Sequence, residues 1–113
     1  MTQPVRDARP GPVATAAPAG LDPQEQTPAD RVAAAVLAVP GVAGLDGGSL
    51  GEVATYLPGR RVSGVADRGD RLTVSITVHP AGDLRVLAEL VRSAVAGADP
   101  RPVDVVVADI AAA

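Results

Sequence analysis

A chain of 113 residues with net charge −3, no Cys and no Lys has room for one domain, excludes a disulfide framework and a thiolate metal site, and argues against a general nucleic-acid binder that relies on a positive field. Aromatic residues make up 1% of it, with no Phe and no Trp, so the core must be built from Val, Leu, Ile and Ala. Each fully buried Val or Leu contributes roughly 1.5–3 kcal/mol. The opening Met1-Thr2-Gln3-Pro4-Val5-Arg6-Asp7 lacks the apolar run of a signal peptide. No segment approaches the ~18 continuous apolar residues of a membrane span, so a cytoplasmic protein without direct membrane insertion is expected.

Residues 1–26 are rich in Pro, Ala and Gly and poor in large apolar side chains, which predicts a disordered N-terminal tail. The folded domain is expected over 27–110. Thr27-Pro28-Ala29-Asp30 opens it: Thr27 can cap, Pro28 suits the first helical position, and Asp30 falls where a capping box puts its acid. A helix through residues 31–38 would bury Val32, Val36 and Leu37. Pro40 and Gly41 stop it.

Residues 42–45 suit a short strand and residues 46–49 a loop. Residues 52–57 read as a second strand. Leu57-Pro58-Gly59-Arg60 has the residues of a type II turn. Residues 61–66 would form a third strand, with a bulge at Gly64. Asp67-Arg68-Gly69-Asp70 then turns the chain into its strongest signal. From Leu72 to Val78, apolar residues alternate with Thr73, Ser75 and Thr77, the mark of a strand with one buried and one wet face.

Pro80-Ala81-Gly82 breaks that strand, and Asp83 is a good N-cap. Leu84, Leu87, Ala88, Val91, Ala94 and Val95 recur at helical spacing up to Gly97. Residues 103–110 form a final strand. Its nearly continuous apolar run predicts a place inside the sheet, with a helix over one face. Residues 111–113 should fray. The order implies an α+β fold: one antiparallel-rich mixed sheet with two helices packed on one face.

Three stretches carry a family resemblance. They are Val39-Pro40-Gly41-Val42-Ala43-Gly44-Leu45 after a helix, the turn Leu57-Pro58-Gly59-Arg60-Arg61-Val62 with its hairpin, and the terminal Val103-Asp104-Val105-Val106-Val107. With the amphipathic helix before the last strand, the chain over residues ~28–110 resembles the alkaline-shock-protein family of bacterial envelope stress response proteins by this pattern. The family commonly has a Tyr-Gly pair after the long strand and an Asn in the last one. Here His79-Pro80 stands after the long strand, and the last strand has no Asn. The use of Arg alone among basic residues, with abundant Ala, Gly, Val and Asp, fits a GC-rich genome. The resemblance implies a non-enzymatic, cytoplasmic protein of cell-envelope homeostasis, acting through protein contacts and sometimes held at the membrane by an integral-membrane partner. No catalytic or cofactor residue carries over, and no cofactor is expected.

The candidate partner-binding residues are Arg60, Arg61, Arg68 and Arg71 near two turns, with Thr73, Ser75 and Thr77 on the polar face of the long strand. They suit an acidic or polar protein surface, and an exposed strand edge also admits a homo-oligomer. The competing interpretation of the Arg cluster is a solvated rim balanced by Asp67 and Asp70. A small RNA- or nucleotide-binding domain using the Arg-bearing turns is the alternative function. Gly41-Val42-Ala43-Gly44 has the spacing of a KH-domain GXXG loop but enters an expected strand and carries no basic residue, so nucleic acid is the weaker expectation. Gly47-Gly48-Ser49-Leu50-Gly51 lacks the Lys and the spacing of a P-loop. His79 is the one histidine, and neither Cys nor a second His stands ready to complete a metal site.

Overall fold

The computed structural model of the protein describes residues 26–112, so the expected tail lies outside the described residues except for Gln26. Helix α1 (Pro28–Leu37) starts on the expected capping box: the Thr27 hydroxyl accepts from the Asp30 N–H at 3.3 Å and the Asp30 carboxylate accepts from the Thr27 N–H at 2.8 Å. Ala29, Val32 and Val36 form its buried stripe. Leu37, expected on that stripe, is 48% exposed. At 3.6 residues per turn it lies one step round the cylinder from Val36, at the helix end, and overshoots the sheet.

Strand β1 (Val42–Leu45) follows, then a loop to the hairpin of β2 (Ala54–Leu57) and β3 (Arg60–Ser63). Between them Gly59 adopts φ +76°, as the third residue of a type II turn requires. The hairpin is a two-stranded ribbon of its own, tied to the main sheet where the Thr55 hydroxyl donates to the Val65 carbonyl at 2.6 Å. The single strand expected over 61–66 is broken at Gly64, whose φ of +86° ends β3 and starts β4 (Val65–Asp67). A Cβ at Gly64 would meet the Leu45 Cβ at 2.6 Å, so close approach as well as φ demands glycine there.

Strand β5 (Leu72–Val78) is the axis of the main sheet. Along one edge it pairs antiparallel with β4 over its first half and with β1 over its second. Along the other edge it pairs parallel with β6 (Val103–Ile110). Helix α2 (Leu84–Ala96) makes the crossover between β5 and β6, capped by the Asp83 carboxylate accepting from the Arg85 N–H at 2.8 Å. Leu72, Val74, Ile76 and Val78 join Val32 and Val36 of α1 and Leu87, Val91 and Val95 of α2 in one buried cluster. The fold is α+β: a mixed, antiparallel-rich sheet with both helices against it.

Three further expectations need correction. Leu84 is 43% exposed, because it opens α2 and overhangs the sheet. Strand β6 is not inside the sheet: β5 is its one partner among the described residues, and it forms an edge. Only Val103, Val105 and Val107 pack toward the core, while Val106 and Ile110 stay 43% and 52% exposed. The apolar run therefore exceeds what burial uses. The polar face of β5 is also not uniformly wet, since Ser75 is 2% exposed with Thr73 and Thr77 half-buried. At Ser75 the chain leaving β1 and the β3–β4 break close on β5 together: Asp46 N–H donates to the Ser75 carbonyl, and Ser75 N–H donates to the Gly64 carbonyl, both at 2.9 Å.

Candidate functional site

The structure distributes the candidate Arg residues over different elements and gives two of them structural partners. Arg60, at the start of β3, makes a two-pronged pair with Asp30, with Nη1 and Nη2 each 2.9 Å from a carboxylate oxygen. The Asp30 side chain is 1% exposed. The Arg60 guanidinium, helped by the Thr27 cap bonds and opposed by burial, holds the Asp30 carboxyl down at about 2. This pair fastens the hairpin to the first turn of α1.

Arg71 enters β5 and grips Asp104 on β6, with Nε at 2.8 Å and Nη2 at 2.7 Å. The contact raises Arg71 and lowers Asp104 from their ordinary values. Arg68 lies in the adjacent turn, its N–H donating to the Arg71 carbonyl at 2.9 Å and its Nε 3.4 Å from the Thr73 hydroxyl. Arg61 is exposed on β3, paired in register with the 64% exposed Tyr56. Among the described residues, Arg61 and Arg68 are the candidates with no carboxylate in ion-pair distance.

The charge network that sequence reasoning missed centres on Arg101. Its Nε and Nη2 meet Asp99 at 3.0 and 2.9 Å, and its Nη1 meets Asp67 at 2.8 Å and the Gly69 carbonyl at 3.1 Å. Arg101 therefore ties the α2–β6 connection to the β4–β5 turn. Its side chain, with the Arg101 backbone N–H, holds Asp99 at about 2, while Asp67 is lowered first by the Gly69 N–H and then by Arg101. The one local signal was Asp99 two residues before Arg101, a spacing that the Arg101 N–H to Asp99 bond of 2.9 Å explains.

The remaining sequence features fall in separate places. Gly41 adopts φ +101° and Val42–Leu45 is strand, so Gly41-Val42-Ala43-Gly44 forms a helix-to-strand junction. In the 46–51 loop, Gly48 N–H donates to Asp46 and Leu50 N–H to Glu52, at 2.8 and 3.0 Å. His79 is exposed and its N–H donates to the Gly41 carbonyl at 2.9 Å, beside a shallow hollow shared with Pro80, Leu84 and Ile110. A second hollow, of about 450 Å³, lies between the 46–53 loop and β6. Asp46, Glu52 and Asp109 stand round it, with Ser75, Val106 and Ala108 also in its lining.

Large apolar side chains exposed to solvent include Leu50 in that loop, Leu84, Val86 and Leu90 on α2, and Val106 and Ile110 on β6. Among the described residues no helix is long and apolar enough to cross a membrane. Compared with protein-family models, curated proteins and solved structures, the chain matches none.

Proposed function

We propose that this chain is a non-catalytic binding module of the alkaline-shock type, acting through protein contacts in cell-envelope homeostasis on the cytoplasmic side of the membrane. The observation that carries the contact role is β6: an eight-residue strand with one partner among the described residues and with Val106 and Ile110 exposed. An edge of that length is a surface on which another chain gains backbone hydrogen bonds and apolar burial together. The envelope role and an integral-membrane anchor as partner follow from the sequence resemblance. The alternative, phosphate recognition by the Arg-bearing turns, is weakened by the carboxylates that Arg60 and Arg71 already hold.

Photo-crosslinking from β6 in cells, with and without envelope stress, tests the proposal. Specific adducts with one or a few proteins are expected, enriched under stress. Robust turnover by the purified chain on any substrate class, abolished by His79→Ala, would overturn the non-catalytic role. RNA capture that weakens steeply with added salt would favour the alternative.

A further inference from the structure

Strand β6 offers more than an unpaired edge. The Leu72 N–H donates to the Pro102 carbonyl at 2.9 Å, with Leu72 in register with Val103. A strand residue turns both its backbone groups to one side, and neighbours alternate. Val103, Val105 and Val107 therefore direct their N–H and C=O away from the sheet. Among the described residues no strand takes them up. Between Val103 and Ile110 there is no Pro and no basic residue to blunt the edge, its register with β5 is regular from Val103 to Val107 and shifts at Ala108, and Asp104 is neutralised by Arg71.

The hollow beside this edge is electrostatically unfinished. Asp46 and Glu52 accept N–H groups of their own loop and Asp109 accepts the Ile110 N–H at 2.9 Å. None of the three has a cation in ion-pair distance among the described residues. Ser75 also lines the hollow, 2% exposed, and its hydroxyl has no hydrogen-bond partner among the described residues. No three acidic or His side chains among the described residues group closely enough to hold a metal ion. Carboxylates spread round a hollow and without a cation suit an organic cation on a flexible stem. A strand added to β6 would lie about 4.8 Å beyond it. The small side chain of Ala108 leaves room for a long side chain to pass over β6 toward Asp109.

We infer that the outer edge of β6 pairs with an extended segment of another protein that places an Arg or Lys over Ala108, its charged head among Asp109, Asp46 and Glu52. This rests on the protein-contact role proposed above and names the chemistry of the partner. A second copy of β6 fits less well, because it would bring a further Asp109 and no basic residue to an edge whose own Asp109 has no cation in ion-pair distance among the described residues. Apolar residues of the added segment would meet Val106 and Ile110.

The test is selection from a displayed library of randomised eight-residue segments on the full chain, followed by titration of the best synthetic peptide. Enrichment of Arg or Lys at one position is expected. So is slowed hydrogen exchange at the Val105 and Val107 amides. The double variant Glu52→Gln, Asp109→Asn should weaken binding at least tenfold, and Val105→Pro should abolish it while removing no hydrogen bond inside the sheet. N-methylation of alternate peptide amides tests strand addition without touching the protein's own stability. Selected segments lacking a basic residue, unchanged affinity in the double variant, or unchanged affinity after N-methylation would overturn the inference. So would no selection at all. If crosslinks to a cellular partner persist in any of those cases, the contact role stands and only this edge chemistry fails. A doubled mass in solution with the same amides protected in the absence of peptide would make the occupant a second copy, overturning the basic-segment inference.

Discussion

Gly64 and Gly59 both have positive φ, at +86° and +76°, yet their surroundings differ. A methyl group at Gly64 runs into the Leu45 Cβ at 2.6 Å and the Ser75 carbonyl oxygen at 3.0 Å, whereas at Gly59 nothing lies within 4 Å. Left-handed backbone costs a non-glycine residue about 1–2 kcal/mol, and forced overpacking adds about 1–3 kcal/mol. Gly64→Ala should therefore cost about 2–5 kcal/mol and Gly59→Ala about 1–2 kcal/mol, as read from denaturant midpoints. Equal losses would show that φ alone sets the requirement. Val74 is fully buried under both helices, and Val74→Asp should cost more than about 4 kcal/mol by placing an unpaired charge there. An unchanged melting temperature would refute the register of β5. At this scale the sequence was informative where the signal is local: Pro58-Gly59 named its turn, Thr27 with Asp30 named its cap, and the alternation of Leu72 to Val78 named its buried face. The burial of Ser75 was not legible, because it depends on chain segments 11 and 29 positions away, at Gly64 and Asp46, that close on it.

Between elements, the bonds that matter span distances in sequence that no local pattern encodes. Arg60 finds Asp30 across 30 positions, Arg71 finds Asp104 across 33, and Arg101 finds Asp67 across 34. The sequence placed Arg60 and Arg61 together among its four candidate Arg residues, but on a strand neighbours point to opposite sides. Arg60 consequently faces α1, and Arg61 faces solvent. Removing one partner of a buried pair costs about 3–5 kcal/mol, less where a side chain remains partly wet, and exposed substitutions fall within about 0.5 kcal/mol. Arg60→Ala should thus lower stability by about 2–4 kcal/mol and Arg61→Ala by less than about 0.5 kcal/mol. Similar midpoints for the two variants would mean that the hairpin is not fastened through Asp30. The edge position of β6 was hidden for a related reason. Strand order is set by the whole sheet, and an apolar run reads alike in a central strand and in an edge that keeps apolar residues for a partner.

Among the described residues, the two carboxyls held at about 2 stand at junctions between elements: Asp30 joins α1 to the hairpin, and Asp99 joins the α2–β6 connection, through Arg101, to the β4–β5 turn. Both are held at about 2 against an ordinary 3.8, chiefly by hydrogen bonds from Arg60 and Arg101. A carboxyl with a depressed folded value stabilises the fold fully above its unfolded value. As pH falls, the unfolded chain takes up the proton first, and the stabilisation fades until the folded group is protonated too. The denaturant midpoint should therefore stay flat from pH 7 to about pH 5 as far as these groups are concerned, then fall between about pH 4 and pH 2. Asp30→Asn cannot titrate and keeps only part of the Arg60 contact. Its deficit relative to the unsubstituted chain should be largest at pH 5 to 7 and shrink toward pH 2, where the natural carboxyl is also losing its charge. A deficit for Asp30→Asn that stays constant from pH 7 to pH 2 would mean that the charge of Asp30 is not what fastens the hairpin to α1, and that its hydrogen-bond acceptors alone matter there.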